Sequence, residues 1–274
     1  PWETPSNANN QALADGAGPL AIPVGAIRRN VKACWNLGYC GMGCPTNAKQ
    51  SMLLTSIPAA LQRGATLYSR LRAERLRFAG SRVTALDCLA LQPDGIRASG
   101  IRVRLRARHF VVAAGAIGSP ALLLRSGVPD PPRLIGKRTF LHPVVISAAR
   151  MPQRVDAYAG APQTVYCDHF LQQAPIDGPL GFKIESAPLH PVLFSTTLHG
   201  FGAAHREVMR DFTHTQVLLA LLRDGFHPES RGGEVRLAGD GSPQLDYPLN
   251  AVIWEAARRA LLAMAEIQFA AGAR

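Results

Sequence analysis

One stretch constrains the fold more than any other: His109-Phe-Val-Val-Ala-Ala-Gly-Ala-Ile-Gly-Ser-Pro-Ala-Leu-Leu-Leu-Arg-Ser-Gly-Val128. Phe110 to Ala114 is a continuous apolar run, the pattern of a strand covered on both faces. Gly115, Ala116 and Gly118 keep the next turn free of bulk, so a second backbone or a cofactor can come close. Ser119 before Pro120 predicts a helix N-cap with proline at the first helical position, and Gly127 predicts the C-terminal stop. A strand, a small-residue turn and a helix N-terminus in succession often hold a dinucleotide in α/β proteins. An ordinary strand-to-helix turn carries the same local pattern, so at this point both readings stand.

The 274 residues leave room for one large domain or two ordinary ones. A hydrophobic fraction of 47% with 18% charged residues is that of a soluble globular chain. No apolar run reaches the roughly 18 residues of a membrane span. The longest candidate, Phe110 to Leu124, is shorter and interrupted by Gly and Pro. The chain opens on Pro1 rather than Met, without a secretory signal, which predicts an excised or incomplete polypeptide. Bacterial cytoplasm, periplasm and a peripheral membrane position all stay open.

A net charge of +11 suggests an anionic partner. Much of the arginine alternates with apolar residues, as in Arg102-Val-Arg-Leu-Arg-Ala-Arg108, which predicts a strand with one solvated face. No nucleic-acid motif accompanies the charge and aromatics are 7%, so nucleic acid is not expected as a partner. Anionic substrates, lipids or an acidic electron-transfer protein fit such a surface equally.

Along the chain, residues 1–30 read as an irregular covering segment and 34–49 as a Cys- and Gly-rich loop. Ser51 to Gln62 has helical spacing. Thr66 to Phe78, Val83 to Leu91 and Ile96 to Arg106 read as a three-stranded meander, broken at Gly80-Ser81 and Pro93-Asp94-Gly95. Residues 142–200 alternate short apolar strands with Gly/Pro breaks, predicting an antiparallel sheet. Arg206 to Arg223 reads as a helix. Val235 to Leu237 and Gln244 to Tyr247 read as a hairpin, and Asn250 to Ala271 as a helix with Asn250 as its N-cap.

Cys34, Cys40 and Cys44 fall in one loop, Cys34-Trp-Asn-Leu-Gly-Tyr-Cys-Gly-Met-Gly-Cys44-Pro-Thr-Asn-Ala-Lys-Gln-Ser51. Three thiolates do not make the four-ligand set of structural zinc, whereas soft sulfur ligands suit an iron–sulfur cluster. The alternative is a thiol cluster that packs a tight loop. Cys88 and Cys167 lie in strand-like surroundings and are expected in the core.

Two of these segments carry a resemblance. Gly115-Ala116, Ser119-Pro120, Leu122-Leu123 and Ser126-Gly127 resemble the second signature of the glucose–methanol–choline (GMC) oxidoreductases. Pro129 departs from it where the family usually has glycine. The Cys40 to Ser51 loop is similar to one in a bacterial branch of that family, in some of whose members such cysteines bind a three-iron cluster. Gly64-Ala65 and the strand to Leu76 resemble the segment that lines the FAD adenine, and Leu141-His142-Pro143 resembles the entry to the substrate domain. The resemblance covers residues 1–145 well and 146–274 loosely.

The resemblance implies an α/β (mixed α+β) fold. Residues 1–141 would be the central part of a Rossmann-like FAD-binding domain with a β-meander insertion, and 142–274 an incomplete antiparallel-sheet substrate domain. It implies FAD as cofactor, with Ala73, Ala114, Gly115 and Ala116 along the adenine, and an iron–sulfur cluster at Cys34, Cys40 and Cys44. The implied reaction is oxidation of a CH–OH group of an alcohol, sugar or sterol, with a histidine taking the proton and flavin N5 the hydride.

Neither the family's Gly-x-Gly-x-x-Gly turn nor its C-terminal histidine motif is in this sequence. No catalytic residue is therefore assigned here, the base being expected beyond Arg274, and the 274 residues alone are expected to be inactive. His142 and the histidines at 190, 199, 205, 214 and 227 are expected as hydrogen-bonded structural groups. The alternatives are an electron-transferring flavin subunit that delivers to an acceptor protein through the cluster, or a non-enzymatic basic binding module.

Overall fold

The computed structural model describes residues 3–274. In chain order the elements are α1 (Ala8–Ala17), β1 (Gly25–Ala26), α2 (Ser56–Gln62), β2 (Leu71–Ala79), β3 (Arg82–Leu91), β4 (Ala98–Leu105), α3 (Gly115–Ser126), β5 (Val144–Arg150), β6 (Val165–Cys167), β7 (Phe182–Ser186), α4 (Pro191–Thr197), α5 (Gly202–Arg210), β8 (Thr215–Leu222), β9 (Glu234–Leu237), β10 (Pro243–Asp246) and α6 (Ala251–Ala270). They form two compact units, neither continuous in sequence. Among the described residues one comprises 3–60, 142–230 and 250–274, and the other 61–141 and 231–249.

The first unit is built on an antiparallel sheet of order β1-β6-β7-β8-β5. Its interior strand β8, between β7 and β5, has no exposed residue. The sequence pattern predicts a helix over 206–223. Instead α5 ends at Arg210, a 3-10 turn spans Phe212–His214, and the chain enters β8. A continuous apolar run such as Val217 to Leu222 satisfies either element locally. Pairing with β7 on one edge and β5 on the other decides for the strand.

Helix α6 packs on β5, β7, β8 and α1 through Ile253, Ala256, Ala257, Ala260, Ala263, Met264 and Ile267, a three-and-four spacing that gives one apolar face. Asn250 caps it, its Oδ1 accepting from the Ile253 amide at 3.1 Å. Helix α1 appears where an irregular segment is expected. Asn7 caps it by accepting from the Asn10 amide at 2.9 Å. Its inward side carries asparagines that a hydrophobic period cannot reveal. Asn9 Oδ1 accepts from the Val217 amide at 3.0 Å, and Asn10 Oδ1 from the Thr164 amide at 2.8 Å. These bonds supply the partners that buried polar groups need.

The second unit holds the meander β2-β3-β4, the hairpin β9–β10 and α3. Arg125 near the end of α3 donates to the carbonyls of Ala73 and Glu74 on β2, both at 3.2 Å, and of Gly241 in the hairpin turn at 3.3 Å. Residues 109–114 are not the buried strand that their apolar run predicts. Val111 is 90% exposed, and no described strand pairs with the segment. Without a ladder partner an apolar run has no means of satisfying its amides as a strand.

Candidate functional site

The small-residue turn opens α3 earlier than Ser119-Pro120 predicts. The helix begins at Gly115, five residues ahead of Pro120, which lies inside it. Ser119 Oγ accepts from the Ala114 amide at 3.0 Å, so the serine caps the first turn from within rather than from the N-cap position. Pro120 brings no amide and leaves the Ala116 carbonyl without its helical donor. Gly115 has φ +74°, a conformation that suits glycine, and a Cβ there would meet nothing within 4 Å. Ala114, Gly115 and Ala116 are all exposed.

That open, unobstructed turn fits the close approach of a flat cofactor. Ala73 lies by the far end of the same helix, where its carbonyl is held by Arg125. About 15 Å of helix separates Arg125 from Gly115. The three turn residues thus form one feature, and Ala73 is tied to the opposite end of α3.

The cysteine loop belongs to the first unit. Gly38 lies against the Tyr158 and Gly160 carbonyls, and Asn36 Oδ1 accepts from the Ala161 amide at 2.7 Å. Cys34, Cys40 and Cys44 are free thiols lining one cavity of about 20 Å³, a volume for about one water molecule. Among the described residues no three Cys, His, Asp or Glu side chains are placed to hold a metal ion. Their placement therefore gives no support to the iron–sulfur cluster that the resemblance implies. Each sulfur instead has a local partner. Cys34 Sγ accepts from the Asn36 amide at 3.4 Å, Arg29 approaches Cys40 Sγ at 4.0 Å, and Cys44 Sγ lies 3.4 Å from Thr46 Oγ1. The Thr46 hydroxyl, followed by the Lys49 and Thr46 amides, lowers the Cys44 pKa to about 7. Burial pushes the Cys88 and Cys167 thiols up, in keeping with core positions.

Beyond this loop lies a larger cavity of about 410 Å³ that the sequence does not reveal. Arg29, Lys49, Cys40, Gln50, Ser51 and Gln163 line it, bringing together positions up to 134 residues apart. Such a lining suits a polar or anionic small molecule. No sequence spacing signals it, because Gln163 arrives from the turn before β6.

The histidines divide. The rings of His205, His214 and His227 sit 2.9, 3.3 and 3.1 Å from the carbonyls of Ser195, Met151 and Asp177. His190 departs from the expectation, since its buried Nε2 has no hydrogen-bond partner. His142 also departs from it, being exposed and without a side-chain hydrogen bond among the described residues.

Residues 1–144 match the family description GMC oxidoreductase. The chain belongs to the GMC oxidoreductase family. An uncharacterized GMC-type oxidoreductase of Sinorhizobium fredii is 28% identical over 94% of this chain and 48% of its own length. A long-chain-alcohol oxidase of Arabidopsis thaliana is 26% identical over 97% of this chain and 36% of its own. The crystal structure of pyridoxine 4-oxidase from Mesorbium loti shares the fold at a TM-score of 0.62 and 18% identity, over 97% of this chain and 52% of that one. The GMC chain described here thus spans about half the length of these relatives or less. The family binds FAD, and the mixed α/β architecture is that of its FAD-binding oxidoreductases. No described helix is long and apolar enough to cross a membrane.

Proposed function

We propose that this GMC chain forms part of an FAD-dependent oxidoreductase acting on the CH–OH group of a small-molecule alcohol. Family membership over residues 1–144 carries the reading. Relatives named as long-chain-alcohol oxidases and a 6'''-hydroxyparomomycin C oxidase of Streptomyces lividus support an alcohol as the substrate class. FAD, when bound, accepts the hydride that leaves the carbinol carbon.

Ala114, Gly115 and Ala116 would hold the cofactor, because their lack of side-chain bulk admits a planar ring against the main chain. Ala73 would add only its methyl group, its carbonyl being engaged by Arg125. The cavity lined by Arg29 and Lys49 would orient polar parts of whatever enters it. None of the histidines in the chain is proposed as the base. The cysteine loop enters as a packed thiol cluster, and no electron relay is routed through it.

Anaerobic mixing of the natural-length flavoprotein with alcohols of increasing chain length, and with sugars, tests the reading. Loss of the oxidised flavin's visible absorption is expected with at least one alcohol class. Absence of bound flavin, or no bleaching by any of them, overturns it. Ala116→Phe, at an exposed position, is expected to lower FAD retention while the circular dichroism spectrum stays unchanged.

A further inference from the structure

The net charge of +11 is not spread evenly. The unit of residues 61–141 and 231–249 holds seventeen Lys and Arg against seven Asp and Glu, a net +10, while the other unit holds thirteen against twelve. Strand register then gathers arginines on one face of the meander. Arg75 on β2 and Arg104 on β4 both stand opposite Asp87 on β3, and Arg72 and Arg102 both stand opposite Leu89. Arg77, opposite Ala85, completes the group.

Two carboxylates answer these five guanidinium groups. Asp87 takes Arg77 at 2.7 Å and Arg104 at 2.6 Å, and Glu74 takes Arg72 at 2.6 Å. Arg75 and Arg102 are exposed and have no carboxylate partner among the described residues. Arg77, Arg102 and Arg104 border an open groove of about 380 Å³.

Adjacent strands lie about 4.8 Å apart, so three strands present these groups as a flat array. A planar array complements an extended anionic surface better than a compact anion. None of the residues paired with these five arginines, Ala85, Asp87 and Leu89, is aromatic. The face therefore lacks the stacking groups of single-stranded nucleic-acid platforms and the aromatic anchors enriched at protein interfaces. Ile96, in the turn from β3 to β4 and next to Arg97, is 76% exposed, an apolar tip beside the basic face. We propose that the arginine face of β2–β4 docks on an anionic phospholipid surface, with Arg75 and Arg102 donating to lipid phosphates. The guanidinium fork matches phosphate oxygens in pairs.

Co-sedimentation of the 274-residue chain with vesicles tests this. Vesicles of equal parts phosphatidylcholine and phosphatidylglycerol should bind it, phosphatidylcholine vesicles should not, and added salt should weaken the binding. Arg75→Gln with Arg102→Gln breaks no ion pair, so thermal stability should hold while partitioning falls about 30-fold, the factor two surface arginines contribute. Arg206→Gln with Arg210→Gln, an equal charge change on the other unit, should alter partitioning little. The proposal is overturned by absence of binding, by equal binding to both vesicle types, or by anionic binding that survives the Arg75/Arg102 change. Tighter binding of duplex DNA or single-stranded RNA than of vesicles at the same salt overturns it too.

Discussion

Ser126 Oγ accepts a hydrogen bond from the Leu76 amide at 2.9 Å and donates one to the Leu122 carbonyl at 2.6 Å. A single buried hydroxyl thus satisfies an amide on the outer strand of the meander and closes the last turn of α3. With Arg125 beside it, this short sequence couples helix, meander and hairpin turn within one unit.

Ser126→Ala should therefore leave the Leu76 amide buried and unpaired. The expected cost is about 1–3 kcal/mol, the penalty for an unmet buried donor. Urea denaturation should show a lower midpoint with an unchanged slope.

Helices α1 and α6 touch at Gly16, where a Cβ would overlap the Ile267 carbonyl oxygen. That neighbour is backbone and has little freedom to yield. Gly16→Ala should destabilise the chain by about 1–3 kcal/mol despite the better helix propensity of alanine. Thermal denaturation of the two proteins side by side checks it, and an unchanged midpoint would show that the helices separate at little cost.

The carboxyl of Asp87 is held at a pKa of about 2, below its usual 3.8, by hydrogen bonds from Arg104 and then Arg77. Because the folded-state value is depressed, its contribution to stability is complete above the ordinary carboxylate range. It is lost as pH falls from about 4 toward about 2. Asp87→Asn should lower the melting temperature at neutral pH by a small amount, since the ion pairs are solvent-exposed. The gap between variant and parent should close by about pH 2.

The Cys44 thiol, lowered to about 7 by the Thr46 hydroxyl, should be alkylated by iodoacetamide with a half-maximal rate near pH 7. Thr46→Val should move that midpoint upward. Mass-spectrometric mapping across pH reads both, with buried Cys88 and Cys167 expected to stay unmodified in the folded protein.

Where a signal is local, sequence and structure agree. Asp94 Oδ1 accepts from the Ile96 and Arg97 amides at 2.9 and 3.0 Å, forming the turn that Pro93-Asp94-Gly95 predicts between β3 and β4. The Asn250 cap and the apolar period after it produce α6 as read. The turn at Gly115 was visible as a small-residue feature. Its helix start was not, because Ser119 suits the N-cap of a helix that begins at Pro120 as well as the first turns of one that already contains it, and only the Ala114 bond shows which.

What escaped the sequence depended on partners far along the chain. Asn9 and Asn10 look like surface residues until Val217 and Thr164 arrive to bond them. Cys34, Cys40 and Cys44 share a loop, but only the packed backbone shows that their sulfurs meet Asn36, Arg29 and Thr46.

The sequence by itself determined the meander, the terminal helix, the hairpin and the small-residue turn, because caps, turn residues and side-chain period act within a few positions. Tertiary structure alone decided the two long apolar runs. Val217 to Leu222 became a strand because β5 and β7 offered amides and carbonyls on both edges. Phe110 to Ala114 did not, because no described strand lies beside it. An apolar run encodes burial, and the choice of hydrogen-bond ladder belongs to whichever segments the fold brings alongside.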